Sequence, residues 1–268
     1  MQLIWIIVLI GYAVGVAQSI FALTAKRPVL RKTAVVAMVV AFGTHTGWLF
    51  YESIKTGRCP LVGSQEIFSF LAWLLFLSYL IVQRWYRTGA LNAFVLPIVL
   101  VLATIGAIAP DTPSHPGTPN PPLEAFLLPI HVGLILLSYA AFFIAFGAGL
   151  MYMIQERELR SKHFGRLFYR LPSLNSCDEI SARSMAAGFA LLTIGILAGF
   201  WYSHARFGVY WKGDPLEIFS VVTWVLYLIL IQSRMKASWG GRTAAMASIL
   251  SFVIVICSLV GVRYLGHA

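Results

Sequence analysis

Charged side chains are scarce in this sequence. They make up 11% of its 268 residues, against about 25% in an ordinary soluble domain. So few charges cannot coat a water-facing globule. Hydrophobic residues reach 59% and the mean hydropathy is +0.80, so the chain reads as an integral membrane protein and not as a disordered one. Acidic residues are scarcer than basic ones, 10 against 20, and the formal net charge is +10. In a membrane protein that excess collects in cytoplasmic loops, so no nucleic-acid partner is expected. Cysteine is nearly missing. Cys59, Cys177 and Cys257 form no CxxC or CxxCH pair, which argues against a structural zinc site, a thiol relay or a covalently attached heme on this chain.

What the sequence does have is long apolar runs. A spanning helix needs about 20 mostly apolar residues, and eight segments qualify: 3–24, 33–52, 67–85, 91–110, 126–154, 185–202, 217–233 and 243–262. The runs are continuous and not alternating, which disfavours a barrel. The expected fold is an all-α integral membrane protein, a bundle of about eight transmembrane helices forming one polytopic domain over 1–268. The first run lacks a basic leader and is too long for a signal peptide, so it reads as a retained helix. Fifteen of the twenty Lys and Arg fall in loops after odd-numbered spans, leaving Lys55, Arg58, Arg206, Lys212 and Arg263 on the other side. This predicts cytoplasmic odd-numbered loops and both termini outside. The inner loop 155–184 carries six basic residues and is expected to rest a short amphipathic helix on the anionic leaflet. The segment 110–122 is a Pro-rich outer loop, with no helix expected. GxxxG spacing at Gly11/Gly15 and Gly195/Gly199 predicts close helix packing.

The histidines concentrate on the outer side. His45 lies toward the outer end of the second span, His131 in the first outer turns of the fifth, His115 and His204 in outer loops, and His267 at the outer C-terminus; only His163 is inner. His131 is the sharpest candidate, because an ionisable residue inside a span is costly and functional by default. It has no acidic neighbour within a turn. Its imidazole either ligates a metal or bonds the backbone of a neighbouring helix. His45 has a plainer explanation in Thr44 and Thr46 beside it.

A second feature is the outer loop 200–219. It sets Phe200, Trp201, Tyr202, Phe207, Tyr210 and Trp211 around Arg206, Lys212, Asp214 and Glu217. An interfacial aromatic belt explains one or two such residues per helix end. Flat aromatic faces also stack on flat apolar ligands, and Arg and Lys pair with carboxylates. A flat ligand with carboxylate tails and a histidine-seeking iron is heme. DPLE reads as a helix start, with Asp214 as N-cap, Pro215 in the first turn and Glu217 at the third position.

FGVYWKGDPLE (207–217) resembles the tryptophan-rich WWD-like loop of the CcsA/ResC branch of heme-handling cytochrome c assembly proteins. PLVGSQEIFSFLAW (60–73), HVGLILLSYAAFFIAFGAGLMYMIQER (131–157), TWVLYLILIQSR (223–234) and WGGR (239–242) follow in the order of that family. The resemblance covers about 40–267. It implies transient, non-covalent binding of heme b at the outer face of a bacterial inner membrane. It implies presentation to apocytochromes c carrying CxxCH, with a CcsB/ResB-like membrane partner, as part of a holocytochrome c synthase complex. By the same resemblance His131 and His267 are axial ligands, with His45 or His204 as alternatives for the second. Phe207, Tyr210, Trp211 and Asp214 form the loop platform, and Arg206 and Lys212 meet the propionates. No catalytic side chain is required of this chain. Phe207 and Gly213 stand where the family has Trp. Gln232, a poor iron ligand, stands where it usually has an inner His. Those departures keep a HemX-like scaffold or regulator of heme synthesis as an alternative. A small-solute transporter is a further alternative, although no internal repeat supports one.

Overall fold

Uninterrupted apolar runs leave backbone N–H and C=O groups no partner in lipid except each other, which makes helices the local solution. The computed structural model describes residues 2–24, 28–61, 63–86, 90–109, 122–162, 165, 168–236 and 241–265. Among them are eight helices and no strand: α1 (Gln2–Thr24), α2 (Pro28–Thr56), α3 (Ser64–Tyr86), α4 (Leu91–Ile108), α5 (Pro122–Ser161), α6 (Leu174–Phe207), α7 (Pro215–Lys236) and α8 (Gly241–Leu265). Seven are long and apolar enough to cross a membrane, and α8 adds a shorter described apolar stretch, Gly241–Ile256. The protein is an all-helical integral membrane bundle.

The helices outrun the apolar segments. α5 continues through Ser161 and α6 begins at Leu174, so most of the expected inner loop 155–184 is helix. Ser173 caps α6 by accepting the Ser176 N–H at 3.2 Å. The outer loop 200–219 shrinks likewise, because α6 runs to Phe207 and α7 starts at Pro215. Pro122 opens α5, where a missing N–H costs nothing; the rest of 110–122 lies outside the described residues.

The packing divides into two compact units, Met1–Pro116 with Arg157–Pro172, and Gly117–Glu156 with Ser173–Ala268. In the first, α1 meets α2 at Gly11, where an added Cβ would lie 2.5 Å from the Ala41 Cβ, and at Gly15, against Met38. Around that seam Val8, Tyr12, Ala41, Trp48, Leu75, Phe76 and Leu96 are buried. Trp73 Nε1–H donates to Thr46 Oγ1 at 2.8 Å, and the Tyr79 hydroxyl to Asn92 Oδ1 at 2.7 Å.

In the second unit α5 lies against α6 through Gly188, which faces Phe142, and Gly195, which faces Ile135. Phe142 stacks on Tyr227 of α7 at 3.6 Å between centroids. Trp224 Nε1–H donates to Thr193 Oγ1 at 2.9 Å, Ser181 pairs with Ser248 at 3.0 Å, and Arg234 binds Asp178 at 2.7 Å. Side chains such as Ile194, Leu197, Val222 and Ile229 are exposed, as a lipid-facing surface requires.

Candidate functional site

The site grows from the junction of α6 and α7. Gly208 ends α6 in the left-handed region, at φ 74°, and its N–H reaches the His204 carbonyl at 2.9 Å. Glycine adopts that backbone without a Cβ penalty. Six residues later α7 begins with the expected cap. The Glu217 N–H donates to Asp214 Oδ1 at 2.9 Å, while Glu217 Oε2 accepts the N–H groups of Lys212 at 2.8 Å and Gly213 at 2.9 Å. Gly213 also sits at φ 74°. A tryptophan here, as in the family loop, would be strained in this conformation.

Between these caps the aromatic residues stay outside the core. Phe207, Tyr210 and Trp211 are half exposed. Trp211 meets Phe200 edge-on at 6.1 Å, and the Tyr210 ring leans on His204 at 4.1 Å. Lys212 folds back: its Nζ lies 3.8 Å over the Phe207 ring and 3.5 Å from Asp214 Oδ2. Arg206 is exposed on the last turn of α6.

Beneath the loop is a cavity of about 250 Å³ within the second unit. It is lined by His131 and Val132 of α5, by Gly199, Phe200, Ser203 and Phe207 of α6, by Trp211, Lys212 and Asp214 of the loop, and by Glu217 of α7. His131 Nδ1 is 2.7 Å from the Gly195 carbonyl oxygen. A carbonyl only accepts, so Nδ1 carries the proton. In a neutral imidazole Nε2 then keeps its lone pair, and it has no hydrogen-bond partner among the described residues. The reading of His131 as bonded to a neighbouring helix's backbone is thus observed.

The structure thus brings His131, Phe207, Trp211, Lys212 and Asp214 to one cavity, with Tyr210, His204 and Arg206 beside it on the chain. His45 belongs to the other unit. His45 is fully buried; its Nδ1 meets the Tyr12 hydroxyl at 3.2 Å and its Nε2 the Ser69 hydroxyl at 2.8 Å. The neighbouring threonine is not its partner, since Thr46 donates to the Phe42 carbonyl. His267, His115 and His163 lie outside the described residues. Gln232 is exposed on α7. Sequence reasoning missed Ser203 as a lining residue and took Gly195/Gly199 for packing alone. Only their i, i+4, i+8 spacing hints at a shared face.

The chain is similar to known cytochrome c assembly proteins. A family model described as cytochrome C assembly protein matches residues 61–268. The cytochrome c biogenesis protein CcsA of Guillardia theta is 28% identical over 249 residues, covering 87% of this chain and 80% of that protein. CcsA of Prochlorococcus marinus strain MIT 9303 is 27% identical over 262 residues, covering 87% and 82%. CcsA of Parasynechococcus marenigrum strain WH8102 is 27% identical over 259 residues, covering 88% and 85%.

Proposed function

The chain belongs to the cytochrome c assembly protein family, and on that premise we propose that it holds heme b, transiently and non-covalently, for attachment to apocytochromes c. The observation that carries this reading is His131. Its Nδ1 is held by the Gly195 carbonyl, and its ring lines a cavity that Phe207 and Trp211 also line. The residues present fit the group. A lone histidine holds a bare metal weakly, but heme iron, already held by its porphyrin, is a group that a histidine can hold. Half-exposed Phe207, Tyr210 and Trp211 supply flat apolar faces for the ring.

Heme when bound supplies the vinyl groups to which the CxxCH thiols add. The chain's own residues orient and shield. His131 and His267 are the residues that would hold the iron. Trp211 and Phe207 cover apolar surface that water would otherwise wet. Asp214 and Glu217 hold the loop in place, and Arg206, exposed at the end of α6, would meet a carboxylate. The site faces the outer side of a bacterial inner membrane, as the bias of basic residues toward the other loops supports. A CcsB/ResB-like membrane protein is the partner. No acid–base or nucleophilic residue of this chain is required, so any synthase activity belongs to the complex.

The test is an absorption spectrum of the detergent-purified protein, co-expressed with its partner, beside His131→Ala and His267→Ala. A Soret band with low-spin features, lost in His131→Ala and restored by added imidazole, is the expected result. No Soret band in the wild type after heme addition overturns the proposal and favours a fold-sharing regulator, the reading that Gln232 in place of an inner histidine supports.

A further inference from the structure

Gly195, Gly199 and Ser203 are spaced i, i+4, i+8 and therefore share one face of α6. Each does something different to the same imidazole or its cavity. The Gly195 carbonyl takes the Nδ1 proton of His131 at 2.7 Å. Gly199 makes room: an added Cβ would stand 2.5 Å from His131 Cε1 and 2.7 Å from Nδ1, closer than real Cβ contacts allow. Ser203 is 4% exposed, lines the same cavity, and its hydroxyl has no hydrogen-bond partner among the described residues. A buried orphan hydroxyl is costly. Serine in a helix ordinarily avoids this by bonding a carbonyl one turn back. A hydroxyl left open in a cavity that His131 also lines marks a place where something else completes it.

We propose that this face of α6 is a positioning surface for the iron ligand. Gly195 selects the tautomer of His131, Gly199 seats its ring, and Ser203 donates to a polar group of the bound ligand. The proposal rests on the heme reading for its ligand and on the α5–α6 geometry for the rest. A histidine ligand oriented by a backbone carbonyl on its far nitrogen is a recurring device, and losing such support weakens metal affinity about 10- to 100-fold.

The experiment has two readouts. The first uses heme-free protein labelled with ¹⁵N-histidine, with His131→Ala subtracted to assign the ring. Wild type is expected to show a protonated Nδ1 and a bare Nε2. Gly199→Ala is expected to mix or invert that pattern. Gly188→Ala, which crowds Phe142 on the same helix pair, is expected to leave it unchanged. The second readout is heme retention and iron spectroscopy. Gly199→Ala should lose about 10- to 100-fold in retention, with low-spin bands returning on added imidazole. Ser203→Ala should weaken retention roughly three- to tenfold while the heme-free protein melts no lower, because an orphan polar group is gone. A Gly199→Ala ring identical to wild type, or a Gly188→Ala variant with the same defect, overturns the proposal, as does a Ser203→Ala that simply unfolds. A wild type with a bare Nε2 that never retains heme sinks the heme reading and supports the α6 face as a seat for His131.

Discussion

Asp214 and Glu217 cap the start of α7 reciprocally. The Asp214 carboxylate accepts the Glu217 N–H at 2.9 Å, and the Glu217 carboxylate reaches back to the N–H groups of Lys212 and Gly213. The cap and the aromatic loop are therefore one mechanical unit. Side-chain caps are worth about 0.5–2 kcal/mol. Asp214→Ala and Glu217→Ala should each lower stability by about 1 kcal/mol in thermal unfolding, and the double variant by less than the sum, since the two caps share a turn. Full additivity would mean that the two side chains act independently.

Trp211 and Lys212 are adjacent but differ in availability. Trp211 is 45% exposed and lines the cavity, whereas Lys212 already faces Asp214 and the Phe207 ring. Aromatic pairing contributes about 0.5–1.5 kcal/mol beyond burial. Trp211→Ala should therefore weaken heme retention by about 2- to 13-fold, and Trp211→Phe should keep most of it. Lys212→Ala should change retention less than Trp211→Ala does. The reverse ranking in heme-transfer rates to an acceptor would show that Lys212 leaves its partners to meet the propionates.

His45 should behave as a core residue. Both ring nitrogens are engaged, and Trp5 and Trp48 pack against it at 5.5 and 6.4 Å. His45→Ala opens a cavity and strands the Tyr12 and Ser69 hydroxyls, a loss of about 2–5 kcal/mol. The folded fraction should keep the wild-type heme spectrum. A changed spectrum with unchanged melting would instead make His45 an iron ligand.

Gly11 and Gly43 sit on adjoining helices yet should respond oppositely. A Cβ at Gly11 runs into Ala41 and the Ala37 carbonyl, while nothing lies within 4 Å of one at Gly43. Gly43→Ala should be neutral or stabilise by up to about 1 kcal/mol through helix propensity. Gly11→Ala should destabilise by forcing α1 and α2 apart. Equal melting temperatures for the two variants would contradict the α1–α2 seam.

The sequence by itself determined that this is a helical membrane protein, roughly where the spans run, and that the chain resembles heme-handling assembly proteins. Hydropathy sums over about 20 residues along the chain, so it survives ignorance of tertiary contacts. The Asp214–Glu217 cap was equally legible, because a cap involves residues three apart. Helix ends were not, since polar turns extend α5 and α6 past their apolar segments. Tertiary structure alone decided the chemistry of His131. Its partner, Gly195, is 64 residues away, and which face of α6 meets α5 depends on rotation and close approach, which hydropathy does not encode. The same limit hid Ser203, the Tyr12 and Ser69 partners of His45, and the turning of Lys212 onto Phe207. A hydrogen bond depends on ångström placement of two atoms, and only packing supplies that.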